Sequence, residues 1–365
     1  MKIECLKEKL EEALIKAERV TSKNVTLPVL KYILLIAKDR TLTVRATNLD
    51  LGVEIKVPVK VEEEGVVAVP GDIFRSYISN LSNDSKITIT TDENKLAITT
   101  DKSETHIHTY SHEEFPTIPT TTSDKKIILP VNKFINGLKS VWYSASAQSM
   151  KPELSSVYIY YEDGHLVYAA TDSFRLAEKK VYIKKIEEFG SVLIPSKNVS
   201  DIIKILDGES EDMFICITES QIGITLDGIY ITSRIIDGVF PDYRQIIPNE
   251  YETEVVVLKQ DIIDILKRSF IFSDKFNRIT FNIKPKNKQF TVETSNQDVG
   301  DSKADIPAAI SGESLKLSFN YKNIIDSFQS ITTDSIVFKF GDKKPLMIQG
   351  IGDSSFRYIT MPMNT

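Results

Sequence analysis

Three histidines come nearest to a metal site in this sequence. His106 and His108 alternate within a run of extended character, so their rings share one strand face, and His112 follows closely. No cysteine and no paired acid or base stands beside them, so they are read as strand and loop histidines without a metal. Cys5 and Cys216 are the only cysteines, too far apart in sequence for a disulfide framework or a zinc cage. Such thiol usage suits a reducing cytoplasm. The sequence has no phosphate-binding Gly-rich loop of the Walker type and no nucleophile elbow. A nuclease would need clustered carboxylates to hold metal ions. Asp50, Asp172 and Asp298 fall instead in three separate turns, where Asp caps backbone N–H groups without any chemistry. The expectation is a protein that is not an enzyme and uses no cofactor.

The elements around these residues form a repeating pattern. At 365 residues the chain is too long for one ordinary core. Short β-rich runs end at Pro70, Pro195 and Asn320, a spacing of about 125 residues, which is close to one domain. Each run leads into an amphipathic helix: Ile73, Phe74, Tyr77, Ile78 and Leu81 in the first; Val199, Ile202, Ile203 and Leu206 in the second; Ile324, Ile325, Phe328 and Ile331 in the third. Each copy also opens with a helix, marked by Leu6, Leu10 and Leu14, by Phe134, Leu138 and Trp142, and by Ile262, Leu266 and Phe270. Strands ending in the turns Ala46-Thr-Asn-Leu-Asp50, Ala170-Thr-Asp-Ser-Phe174 and Thr294-Ser-Asn-Gln-Asp298 follow in the same register. The reading is α+β, with three domains of one topology (1–121, 126–247 and 252–365), each packing two helices on antiparallel sheet. Linkers are expected near Thr120 to Lys126 and near Pro248 to Thr253.

Charge leaves the partner open. The formal net charge is −6, whereas gripping phosphate relies on Lys and Arg. A mildly basic inner surface and an acidic outer one would sum to the same value. No apolar run reaches the roughly 18 residues of a membrane span, and the first residues lack the apolar stretch of a secretory signal, so a cytoplasmic protein without a membrane partner is expected.

Four stretches spread along the chain resemble the bacterial sliding clamp, the β subunit of DNA polymerase III. They are Thr26-Leu-Pro-Val-Leu30, Ala170-Thr-Asp-Ser-Phe-Arg-Leu-Ala177, Asp237-Gly-Val-Phe-Pro-Asp-Tyr-Arg244 and Tyr358-Ile-Thr-Met-Pro-Met363. The resemblance implies a head-to-tail homodimer of clamp folds, closed as a ring with helices lining the hole. Such a ring would encircle duplex DNA without sequence preference and confer processivity. It would tether the replicative polymerase catalytic subunit, the clamp loader and other replication and repair proteins. The implied peptide-binding groove takes Leu154, Thr171, Phe174, Arg175, Leu176 and Pro241 from the second domain and the segment after it. Gln245, Ile246, Pro345, Ile359, Met361, Pro362 and Met363 complete it. DNA contacts would fall on Lys23, Asn24, Gln148, Lys151 and Lys197, and the dimer interface on Thr105, Ile107, Ile271 and Phe272. The chain departs from the family pattern at Asn24, Pro152 and Glu153 beside DNA, and at Phe174 and Gln245 in the groove. A clamp-derived peptide-binding scaffold, or a specialised paralogue that does not encircle DNA, is the alternative.

Overall fold

The computed structural model describes residues 1–21, 27–81, 86–121, 127–184 and 189–363. Lys23 and Asn24 therefore lie outside the described residues, as does the start of the Thr26–Leu30 stretch. The described residues contain six α-helices, two per repeat. They are α1 (Lys7–Glu18), α2 (Gly71–Asn80), α3 (Val131–Val141), α4 (Ser196–Ile205), α5 (Lys259–Phe270) and α6 (Tyr321–Ser327). Apolar residues at three-and-four spacing bury one face of each: Leu10, Ala13, Leu14 and Ala17 in α1, Val199, Ile202 and Ile203 in α4, and Ile262, Ile265 and Leu266 in α5. Asn320 caps α6 by accepting from the Lys322 N–H at 2.9 Å. Acidic first turns (Glu8, Asp72, Asp261) and basic last turns (Lys16, Lys139, Lys204, Arg268) suit the helix dipole.

The chain forms two compact units: 1–135 with 197–237, and 136–196 with 238–365. The first unit holds a five-stranded and an eight-stranded sheet, the second a nine-stranded and a four-stranded sheet, all antiparallel. In the eight-stranded sheet, four strands of the first repeat continue directly into four of the second. The seam is Ile229–Arg234 against Leu51–Pro58, in register from Ile229↔Ile55 to Ser233↔Leu51. In the nine-stranded sheet the second and third repeats join likewise, Arg175–Tyr182 against Phe356–Thr360, from Arg175↔Thr360 to Lys179↔Phe356.

Sheets thus run across the boundaries between repeats. Each repeat owns two half-sheets and shares at least one with a neighbour, which covers a hydrogen-bonding edge that would otherwise lie open. Among the described residues, two half-sheets join no other repeat. The five-stranded sheet of the first repeat ends on Glu104–His108, and the four-stranded sheet of the third ends on Gly300–Ile306.

Polar turns follow one recipe. Asn48 Oδ1 accepts the N–H groups of Asp50 and Leu51, Asp172 Oδ1 those of Phe174 and Arg175, and Asn296 Oδ1 that of Asp298. The recurring cap is therefore Asn48, Asp172 and Asn296, and Asp50 and Asp298 do not share the role of Asp172. No group of three or more potential metal ligands exists among the described residues. No described helix is long and apolar enough to cross a membrane.

Candidate docking site

The turn after strand His165–Thr171 sets one wall of a cavity in the second unit. Thr171 Oγ1 donates to the Arg175 carbonyl at 2.7 Å and accepts the Ser173 N–H at 3.1 Å, while Ser173 adopts φ +76°. With the Asp172 cap, these bonds close the turn and leave Phe174 67% exposed. The C-terminal segment forms a second wall. The Met361 N–H donates to the Phe174 carbonyl at 2.8 Å and the Met363 N–H to the Ser318 carbonyl at 2.7 Å. Between them lies a cavity of about 550 Å³, lined by Phe174, Met361, Pro362 and Met363 together with Asp172, Lys275, Phe276, Asn277, Asn320 and Asn323. Partly apolar concavities with a few polar groups are where small ligands and peptides ordinarily bind.

Arg175 does not line this cavity. Its Nε bonds Asp172 Oδ2 at 2.9 Å, Nη1 bonds Asp326 Oδ2 at 2.7 Å, and Nη2 donates to the Tyr143 carbonyl at 2.7 Å. Burial opposes its charge, but Tyr358, Asp326 and Asp172 outweigh that and hold its pKa above the usual arginine value. Tyr143, itself pushed up by burial, shares a hydrogen bond of 2.9 Å with Ser330, whose hydroxyl donates to the Ser140 carbonyl. Arg175 thus braces the turn from beneath. Thr171, Leu176 and Ile359 are also buried beneath it.

Other groove candidates sit on separate supports. Pro241, Gln245 and Ile246 are exposed on a loop pinned by Phe240, which stacks on Tyr158 at 4.9 Å, and by Tyr243, which donates to the buried Glu178 at 2.5 Å. Tyr243 also meets the Tyr160 hydroxyl at 2.8 Å, and Arg357 holds Glu178 at 2.9 Å. Gln245 donates to Asp242 at 2.8 Å. Leu154 and Pro345 are half-buried and do not line the cavity.

Among the remaining candidates, Gln148, Lys151 and Lys197 are exposed. The six helices together carry twelve Lys and Arg against nine Asp and Glu, a net +3, while the whole chain is −6. Ile271 is 67% exposed just after α5 and Phe272 is half-buried. On the edge strand Glu104–His108, Ile107 turns into its own core at 6% exposure and Thr105 is half-buried. His106 lies 3.7 Å from Glu104.

Three family models cover the chain in succession. The N-terminal domain of the DNA polymerase III beta subunit matches residues 1–119, the central domain 128–242 and the C-terminal domain 244–364. The chain belongs to the DNA polymerase III beta subunit family. Family members similar to it include the beta sliding clamp of Synechococcus elongatus, 27% identical over 100% of this chain and 99% of that one. The beta sliding clamp of Staphylococcus epidermidis is 26% identical over 95% of each chain. Solved beta-subunit structures share the fold from end to end. The Bacillus subtilis clamp has TM-score 0.92 at 24% identity and the Thermotoga maritima subunit 0.93 at 24%, each covering 100% of this chain and 99% of its own. The Pseudomonas aeruginosa clamp bound to griselimycin has TM-score 0.93 at 22% identity, with both chains covered completely.

Within this family frame, sequence reasoning missed Lys275, Phe276, Asn277, Asn320 and Asn323. A signal for them was present. Asp274-Lys-Phe-Asn277 places a lone aromatic in an otherwise polar turn, and Phe276 is 54% exposed. A second missed signal is Phe115-Pro116, which recurs as Phe240-Pro241 and marks the two inter-repeat segments as copies of one another.

Proposed function

We propose that two copies of this chain join head to tail into a closed ring that slides on duplex DNA and tethers other proteins to it, without catalysis of its own. The sharing of half-sheets carries this reading. Two of the half-sheet seams are already paired within one chain, and the edges Glu104–His108 and Gly300–Ile306 occupy the corresponding places where a third seam is missing. A second copy supplies it, Glu104–His108 of one copy lying beside Gly300–Ile306 of the other, with Ile271 and Phe272 buried nearby. A two-fold operation then makes two identical seams and closes the assembly.

The helices' surplus of cationic side chains attracts phosphate through solvated, sequence-independent contacts, and topology provides the hold that affinity does not. Lys151 and Lys197 are among the side chains assigned to that surface. The cavity beside Phe174 receives short segments of the replicative polymerase, the clamp loader and other replication proteins in the cytoplasm. Met361 and Met363 give it walls that repack around different occupants.

Retention on circular DNA tests the ring. With a clamp loader present, the wild type should stay on closed circles and run off once the circle is cut, with a dimer mass by light scattering. Ile271→Ala/Phe272→Ala should be monomeric and unretained. Retention indifferent to cutting would mean ordinary electrostatic binding. A chain that binds griselimycin at its cavity but is never retained on DNA would instead be the peptide-binding scaffold.

A further inference from the structure

The hydrogen-bonding inventory of the cavity beside Phe174 is lopsided. Its one lining carboxylate is spent: Asp172 Oδ1 accepts two backbone N–H groups and Oδ2 accepts Arg175 Nε, all at 2.9 Å. The flanking acids each have an arginine beside them. Asp274 Oδ1 takes the N–H groups of Phe276 and Arg278 at 2.9 and 3.0 Å, with Arg278 Nε 3.8 Å from Oδ2. Asp326 is held by Arg175.

The donors, by contrast, are unspent. Lys275 is exposed and has no ion pair among the described residues, its ammonium standing 5.1 Å from the centre of the Phe276 ring. The side-chain amides of Asn277 and Asn323 make no hydrogen bond among the described residues, whereas Asn320 is engaged with the Phe276 carbonyl and the Lys322 N–H. Around these donors stand exposed apolar walls: Phe174 at 67%, Phe276 at 54% and Met361 at 41%.

We propose that Lys275 sets the specificity of the cavity, selecting peptide segments that carry an Asp or Glu beside a large apolar side chain. The carboxylate seats on the Lys275 ammonium, the apolar side chain lies against Phe174, Phe276 and Met361, and the free amides of Asn277 and Asn323 serve the segment's backbone. This rests on the reading that the cavity receives peptides. Charge complementarity of this kind sorts partners more than it adds raw affinity.

The test is a phage-displayed library of random heptapeptides panned against the full chain and against Lys275→Glu, with griselimycin as competitor. Lys275 is an exposed side chain, so the variant should keep the wild-type mass and melting temperature. The wild type should enrich Asp or Glu next to Leu, Phe or Met, and Lys275→Glu should enrich Lys or Arg at that same position. A synthetic copy of the leading acidic peptide should bind Lys275→Glu about tenfold more weakly, and its acid-to-Lys counterpart should recover the loss. Peptides that griselimycin displaces from both proteins, but that show no charge preference or the same one, would overturn the role of Lys275 and leave the docking site standing. Absence of any griselimycin-displaced peptide would overturn both.

Discussion

Arg175 engages every nitrogen of its guanidinium with groups of its own chain, and that sets a division of labour among neighbouring residues. Phe174 stands exposed at the cavity while Arg175 is committed to Asp172, Asp326 and the Tyr143 carbonyl. Removing the brace in Arg175→Ala strands Asp172 and Asp326 and leaves the Tyr143 carbonyl without its donor. The variant should lose about 2–3 kcal/mol of unfolding free energy in urea, discounted for the partial exposure of Asp326. Arg175→Lys should recover little of it, since one ammonium cannot reach three partners set around a planar fork. Asp201 on α4 makes a prediction about pH. Burial raises its pKa above the usual carboxylate value, against the pull of Lys204, Lys197 and Arg19. The folded state therefore holds this proton more tightly than the unfolded state, and stability drains away as pH rises from about 4 through the folded value. Asp201→Asn should thus melt higher than wild type at pH 7, and the difference should close on acidification below about pH 4 in a melting series. How much of the site could be read from sequence varies at this scale. Phe174 and Met361–Met363 were legible because they lie in contiguous stretches matching the family. Lys275 and Asn323 were not, since single residues on a turn and a helix show no spacing that announces a shared cavity.

Each helix was legible from its apolar stripe, although Leu6 falls on the strand before α1 and Ile73 faces outward from α2, but one glycine inside a helix has meaning only in three dimensions. A Cβ on Gly137, in α3, would lie 2.2 Å from the ring of Tyr168, which is fully buried. Ala is ordinarily the better helix former by about 1 kcal/mol. Here overpacking should win, and Gly137→Ala should destabilise by about 1–3 kcal/mol in urea unfolding. A stabilised variant would mean the ring can move aside. The segment leading out of the first repeat is a different kind of element, a strap without secondary structure laid on a sheet. Gly52 leaves room for Ile118, and Gly223 leaves room for Thr121, whose side chain would otherwise collide with a Cβ. Tyr230 then fastens the strap, its hydroxyl donating to the Pro119 carbonyl at 2.9 Å and accepting the Thr121 N–H at 2.8 Å. Tyr230→Phe should speed hydrogen exchange at the Thr121 amide by about tenfold, the equivalent of one modest hydrogen bond, while core amides of the same sheet stay protected. The sequence reading placed a linker near Thr120 to Lys126 from its polarity. It did not see the strap before it, because Ile118 and Pro119 look like any other residues until the glycines beneath them are known.

For the chain as a whole, the three-fold repeat was visible in the spacing of its strands, but the assignment of strands to sheets was not. Alternation says which face of a strand is buried and is silent about which strand lies beside it. Strand Leu51–Pro58 is the case in point: its own repeat covers one edge, and Ile229–Arg234 of the next repeat covers the other. A fragment spanning 1–121 keeps every residue of the first repeat and uncovers that edge, with Leu51, Val53, Ile55 and Val57 beside it. It should associate at micromolar concentration in light scattering, and a fragment that stays monomeric would show the seam to be dispensable. The same seam bears on ancestry. The stretch that was copied to make the repeats is about 125 residues, yet the stretch that coheres is a pair of half-sheets drawn from two copies. Inheritance and cohesion therefore have different units here. A middle repeat grafted in from a relative at 26% identity would arrive with two foreign borders, and its success would hinge on five paired residues at each border, whatever the quality of its own interior.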